Sequence, residues 1–302
     1  MTKRILITGG TGFIGQVLCR ELLSRDYELT VFSRQPAENV RAFCGRVEAV
    51  RDLDQLRAHP GFDGVINLAG EGIADKRWSE QRKKELRDSR IAVTEKLVQV
   101  IHSWEKQPEV LVSGSAVGFY GDQGSSVVTE QTQPRDEFTH RLCRDWENAA
   151  MPVTDDGVRL CLSRTGVVAG RGGGFLSRMI LPFKLGLGGR LGSGRQYMPW
   201  VHRDDVVNAL IWMLEKTSAT GPFNVVSPNP VTNREFTRCL GEVLNRPTLF
   251  PAPAPVLKLA LGEMSRLLLT GQQAYPENLT HAGFQFKYPE LAPALRNSVG
   301  QE

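Results

Sequence analysis

The chain has 302 residues, 41% of them hydrophobic and 23% charged, with a formal net charge of +4. That composition supplies a core for one large domain or two smaller ones and argues against disorder. So small a charge excludes nucleic acid as the main partner, and no apolar run approaches transmembrane length, so no membrane partner is expected. Five scattered cysteines (19, 44, 143, 161 and 239) lack metal-ligand spacing, so no metal site is expected. With no signal peptide after Met1, the expectation is a cytoplasmic protein.

The first predicted element is the most informative. Arg4 to Ile7 is of strand composition and runs into Gly9, Gly12 and Gly15, after which Val17, Leu18 and Leu22 recur at helical spacing. Strand, glycine turn and helix together form a dinucleotide-binding signature. Gly9 allows the tight turn, Gly12 lets backbone approach a pyrophosphate, and Gly15 lets the helix pack close to the strand. The bare N–H groups and the positive end of the helix dipole then face the anion. Thr11, Phe13 and Ile14 lie within the same turn.

Glu28 to Ser33 reads as the second strand. Its end carries cofactor choice, because an acid there would bind the ribose 2′-hydroxyl of NAD. The sequence has Ser33-Arg34-Gln35 instead, and a guanidinium that forks onto phosphate oxygens favours NADP(H) over NAD(H). Val47 to Asp52 is a third strand, with Asp52 and Leu53 placed to flank an adenine. Asp63 to Gly70 is a fourth, ending in Asn67-Leu68-Ala69-Gly70. One long helix is expected over 79–104, and Pro108 to Ser113 is the fifth strand. The basic run Arg82-Lys-Lys84 reads as a solvated helix face with one or two functional members. Strands and helices alternating at this pace predict an α/β fold, a Rossmann-type doubly wound parallel sheet with ligand at the strands' carboxyl ends.

Thr8 to Gly15, Asn67 to Gly70, Ser113-Gly-Ser-Ala116 with Tyr120-Gly121, and Val201 to Val206 resemble the extended short-chain dehydrogenase/reductase superfamily. More narrowly, Ala69-Gly-Glu71, Trp78 with Lys84, Ser89-Arg90, Cys143 to Glu147, Arg171 to Gly174 and Pro199 to His202 resemble its atypical NAD-dependent epimerase/dehydratase-like branch, the "epimerase family" proteins. The resemblance spans essentially the whole chain. It implies a cofactor set that extends the turn and Arg34 by Ser33, Asp52, Leu53, Asn67, Leu68, Ala69, Gly70, Lys84, Arg90, Ser113, Thr165 and Val167. It further implies that Glu71 and Lys84 border the nicotinamide or phosphate region.

The same resemblance exposes a gap. In the wider superfamily a Ser holds the substrate oxygen, a Tyr moves its proton, and a Lys four residues on lowers that phenol's pKa. A phenol with pKa near 10 needs such a cation to act near neutrality. Ser115 stands where the Ser belongs, but anchoring on Cys143 to Glu147 puts Thr139 at the Tyr position and Cys143 at the Lys position. Tyr120 is a substitute proton donor or a structural Tyr in a glycine turn. His140 is expected to be an exposed surface histidine, about a hundred degrees round the helix from the vacant Tyr position. His202 is expected to have a structural or peripheral role.

Leu160 to Val168 reads as the sixth strand, and the glycine-rich 170–194 stretch as a folded substrate lid. Asp204 to Leu214 is a helix, Pro222 to Val226 a short strand, and Thr232 onward is helical again. Val256 to Leu269 is expected to be a core helix of a small carboxyl-terminal domain. The organisation expected is a dinucleotide-binding domain, 1–168 with a return segment 201–227, and a smaller, mostly helical substrate domain, 169–200 and 228–302. Two functions compete: an NADP(H)-dependent oxidoreductase or epimerase of a small carbonyl or nucleotide-sugar-like substrate, and a non-catalytic NADPH-binding sensor or scaffold. A homodimer through helices like 79–104 and 137–150 is compatible with either.

Overall fold

The computed structural model describes residues 2–300. Seven strands form one parallel sheet: β1 (Arg4–Thr8), β2 (Glu28–Phe32), β3 (Glu48–Val50), β4 (Gly64–Asn67), β5 (Val110–Ala116), β6 (Arg159–Thr165) and β7 (Gly221–Val225). Their order is β7-β6-β5-β4-β1-β2-β3, and Leu6 lies between Thr30 and Val65 in register. The order reverses at β1, so the carboxyl ends of β1 and β4 flank the crevice where such sheets bind ligands.

The first nine α-helices in chain order are α1 (Gly15–Ser24), α2 (Ala37–Cys44), α3 (Glu80–Asp88), α4 (Ile91–His102), α5 (Phe138–Ala150), α6 (Gly174–Lys184), α7 (Arg203–Glu215), α8 (Asn233–Leu244) and α9 (Ala254–Leu261). Alternate residues of each strand feed opposite cores, as a sheet covered on both faces requires. Ile5, Ile7, Val110 and Val112 pack with α1, α2 and α7, whereas Leu6, Val65 and Leu111 pack with α4 and α5. A separate cluster joins Leu176 and Phe183 of α6 to Trp200, to Phe236 and Leu240 of α8, and to the terminal helix Leu291–Val299.

Two helical expectations need correction. The single helix over 79–104 is two, because the chain turns at Ser89-Arg90. There the Ser89 hydroxyl donates to the Leu86 carbonyl (3.1 Å) and accepts from the Glu71 N–H (3.1 Å), a local alternative to continuing the helix. The segment Val256 to Leu269 is α9, a short 3₁₀ turn and a four-residue helix, and α9 buries none of its residues. It is not a core helix.

Candidate functional site

The glycine turn has the geometry its spacing predicts. Gly9 adopts φ +70°, and a Cβ there would lie 2.4 Å from the Leu68 carbonyl oxygen at the end of β4. A Cβ on Gly15 would lie 2.3 Å from the Gly9 carbonyl oxygen, so α1 seats directly against the turn. Gly12 differs: its Cβ would meet only the Gly9 carbonyl oxygen, at 3.2 Å, and the residue is exposed. The first turn of α1 has neither a side-chain cap nor an acidic residue. Bare N–H groups, a helix dipole and an uncovered glycine backbone make a fit for a pyrophosphate.

Arg34 stands beside this turn at the end of β2, its side chain 81% exposed, and donates to Glu71 Oε1 at 2.8 Å. That contact is the main reason the Glu71 carboxyl is held below the usual carboxylate range. Ser33 is buried, with its hydroxyl accepting from the Gln35 N–H. Gln35 Nε2 lies 3.4 Å from Thr11 Oγ1, which ties the two loops together. After β3, Asp52 is exposed and caps the 3₁₀ turn that begins at buried Leu53.

Other predicted cofactor residues are occupied differently. Asn67 and Ser113 turn their side chains inward: Thr8 Oγ1 donates to Asn67 Oδ1 (2.6 Å), and Asn67 Nδ2 donates to Thr94 Oγ1 (2.8 Å) and Ser113 Oγ (3.3 Å). They fasten β1, β4, β5 and α4, so only their backbone faces the crevice with Leu68, Ala69 and Gly70. Arg90 donates to the carbonyls of Glu71 (2.8 Å) and Leu86 (3.1 Å), and so fixes the Gly70-Glu71 backbone. Lys84 is exposed and pairs with Asp88. Its neighbour Arg82, read from sequence as part of a solvated face, is instead buried, donates to the Gly72 carbonyl (2.8 Å) and lies 3.6 Å from Glu71. The resemblance pointed to Lys84, and nothing in the basic run marked Arg82 as the buried cation.

The far end of the crevice is closed by side chains. Ser115 is buried and its hydroxyl donates to Glu147 Oε1 at 2.6 Å. Arg164 clamps both Glu147 oxygens at 2.8 Å and donates a third bond to Tyr120 Oη at 3.0 Å. Tyr120 Oη in turn donates to Asn224 Oδ1 at 2.7 Å. Tyr120 is fully buried, and burial pushes its phenol up to about 12. A phenol so placed is a structural brace and not an accessible proton donor. Cys143 is buried with its thiol raised to about 12 by desolvation, which makes it an inert filler behind Gly118.

His140 corrects its expectation. It is buried, with Nδ1 2.7 Å from the Phe119 carbonyl oxygen and its ring edge-on to Phe119. His202 is buried against Tyr288 and caps α7, its Nδ1 accepting from the Asp204 N–H at 3.2 Å. Burial lowers its pKa to about 4, so it stays neutral. Thr165 ends β6 half-buried, and the Val167 N–H donates to the Pro199 carbonyl.

One link was invisible in the sequence. Phe13 of the glycine turn is roofed by the 170–174 glycines, where a Cβ on Gly173 would sit 2.5 Å from its ring. The Arg203 guanidinium lies 4.8 Å from the ring centroid and donates to the Arg171 carbonyl. The glycine-rich stretch therefore rests on the glycine turn.

Comparison with known proteins agrees with this geometry. The model of the NAD dependent epimerase/dehydratase family matches residues 5–227, and that of a domain of unknown function, DUF1731, matches 252–298. Epimerase family protein Mb2239 of Mycobacterium bovis is 40% identical over 293 residues, covering 96% of each chain. Human epimerase family protein SDR39U1 is 37% identical over 302 residues, covering 98% of this chain and 99% of its own. The crystal structure of the human protein (isoform 2) with NADPH superposes with TM-score 0.91 at 35% identity, covering 99% of this chain and all of that one. A UDP-glucuronic acid 4-epimerase from Bacillus cereus, with UDP-glucuronic acid and NAD, shares the fold at TM-score 0.78 and 18% identity, over 98% of both chains.

Proposed function

The chain belongs to the NAD dependent epimerase/dehydratase family, and from that premise we propose that it binds NADP(H) and acts as an oxidoreductase or epimerase on a small hydroxyl or carbonyl compound. The observation that carries the reading is the glycine turn: an open Gly12 backbone before an uncapped helix, with exposed Arg34 at the end of β2 paired only to Glu71 among the described residues. NADPH in the structure of the human relative supports the choice of dinucleotide. Gly9, Thr11, Gly12, Phe13, Ile14 and Gly15 would cradle the diphosphate. Ser33 and Arg34 would take the 2′-phosphate, Asp52 and Leu53 the adenine, and Leu68 to Gly70 the backbone side of the nicotinamide ribose. Lys84, exposed and paired with Asp88, is assigned no contact in this reading.

A bound nicotinamide accepts or gives a hydride at its ring carbon. The chain contributes orientation. Ser115 has spent its only proton on Glu147, so it offers lone pairs to a ligand. It is matched to a substrate hydroxyl and cannot donate to a carbonyl unless the Glu147 bond is given up. Chemistry at this site is expected to be slow, because loss of a positioned general acid commonly costs about a hundred- to ten-thousand-fold.

A second reading, a non-catalytic NADPH-responsive protein, is favoured by one observation. Tyr120 and Ser115 are both committed to a closed network. Calorimetric titration separates the outcomes. NADPH is expected to bind at least tenfold more tightly than NADH, a difference of about 1.4 kcal/mol. No binding of either at about millimolar concentration, a free energy near 4 kcal/mol, would sink both readings. Turnover against pooled alcohols and carbonyls, abolished by Ser115→Ala, would favour the enzyme; NADPH binding with no turnover would favour the sensor.

A further inference from the structure

Seven of the ten exposed large hydrophobic side chains among the described residues fall in two short segments, 181–187 and 249–259, and they range from 58% exposed at Val256 to 82% at Leu259. Backbone bonds hold the segments side by side. The Ala252 N–H donates to the Arg190 carbonyl and the Gly192 N–H to the Ala252 carbonyl, both at 2.9 Å, while Arg246 Nε donates to the Lys184 carbonyl. Leu185, Leu187, Leu249, Phe250, Val256 and Leu259 are thus exposed on segments that adjoin one another. Patches of this kind on a folded chain mark contact sites.

The charge of these segments is one-sided. Residues 169–200 and 246–262 contain seven Lys and Arg and no Asp or Glu, so the rest of the chain carries a net charge of −3. Of the seven, only Arg178 has a carboxylate partner, Asp75 at 2.6 Å, among the described residues. Lys184, Arg190, Arg246 and Lys258 are exposed and free of ion pairs there.

We propose that this face, α9 with the loop after α6, docks on an anionic lipid surface. Exposed leucines interleaved with unpaired cations are the pattern of a helix that lies in the headgroup region. A second copy of the chain is a poor occupant, since two such faces would meet cation to cation. A protein partner fits less well, because anchoring residues between proteins are enriched in Trp, Tyr and Arg and depleted in Leu. The proposal amends the expectation of no membrane partner, which rested on the lack of a spanning segment. No helix among the described residues is long and apolar enough to cross a membrane, and a surface contact needs none.

Vesicle flotation of the full chain tests it. The protein is expected to float with vesicles of equal parts phosphatidylglycerol and phosphatidylcholine, and not with phosphatidylcholine alone. Binding is expected to fall sharply between about 0.1 M and about 1 M salt, as the screening length drops from about 10 Å to about 3 Å. Leu259→Glu with Phe250→Ser is expected to weaken binding at least tenfold, and Lys184→Gln or Arg190→Gln about fivefold each. None of these changes touches the glycine turn, so NADPH titration of each variant reports folding and the dinucleotide reading separately. Failure to float with anionic vesicles, or flotation of the Leu259→Glu, Phe250→Ser variant as well as the parent, overturns the proposal. So does a dimer that Leu259→Glu converts to monomer, which would give the face to a second copy.

Discussion

The two ends of the crevice are built from different materials. At the glycine turn the surface is backbone: Gly12 is exposed, α1 is uncapped, and one guanidinium, held by Glu71, is still 81% exposed. At Ser115 the surface is side chain, and Ser115, Glu147, Arg164, Tyr120 and Asn224 form a chain of bonds between 2.6 and 3.0 Å. The first end is left open for an anion. The second has satisfied itself, and a ligand there must fit polarities already set. The contrast says that recognition of a dinucleotide and support for chemistry are separable here, and substitutions at each end should report different quantities.

The largest effect is expected at the closed end. Glu147→Ala would leave the Arg164 charge buried without its carboxylate, which costs on the order of 3–5 kcal/mol in stability. Urea unfolding measures it. The same variant, refolded with stabilising osmolyte, is expected to keep its NADPH affinity, since Glu147 touches no part of the turn. A loss of affinity as large as the loss of stability would erase the distinction between the two ends.

At the open end the pattern should invert. Gly12→Ala places a methyl where only the Gly9 carbonyl oxygen lies near, so stability should change by less than about 1 kcal/mol. The methyl projects into the space proposed for the pyrophosphate. NADPH binding should weaken by about 1–3 kcal/mol, the usual cost of forcing an added methylene into a fitted contact. Gly9→Ala is the control. Its φ of +70° and the Leu68 carbonyl 2.4 Å away mean that this change should destabilise the fold itself.

How much of this was legible in sequence follows the same division. The sheet, the turn and the position of Arg34 were readable because backbone devices leave local marks: glycines three apart, and an apolar strand before them. The closed end was not. Glu147 was visible only as part of a motif, and its bonds to Ser115 and Arg164 join residues 32 and 17 apart in the chain. His140 was misplaced at the surface because its burial depends on Phe119 of the preceding 3₁₀ turn. Lys84 entered through the family resemblance, and neither that resemblance nor a short basic run says which cation turns inward, which is Arg82. Val256 to Leu269 was read as core because it is apolar, yet apolar sequence does not say what covers it, and α9 is left uncovered.

The smallest predicted effects are the most diagnostic, because they have opposite signs. Arg34→Ala should remove a charge-assisted bond to the 2′-phosphate and narrow the NADPH-over-NADH preference by about 1–2 kcal/mol. Glu71 already occupies that guanidinium at 2.8 Å, so it competes with the phosphate for the same donors. Glu71→Gln should therefore widen the preference, by about 0.2–1 kcal/mol, the range for an exposed ion pair. In the double variant the gain should vanish, because a Gln at 71 has nothing left to release once Arg34 is gone. Calorimetry of the four proteins with both dinucleotides completes the cycle. If Glu71→Gln still widens the preference in the Arg34→Ala background, its carboxylate acts through another cation, and Arg82, 3.6 Å away, is the one to remove next.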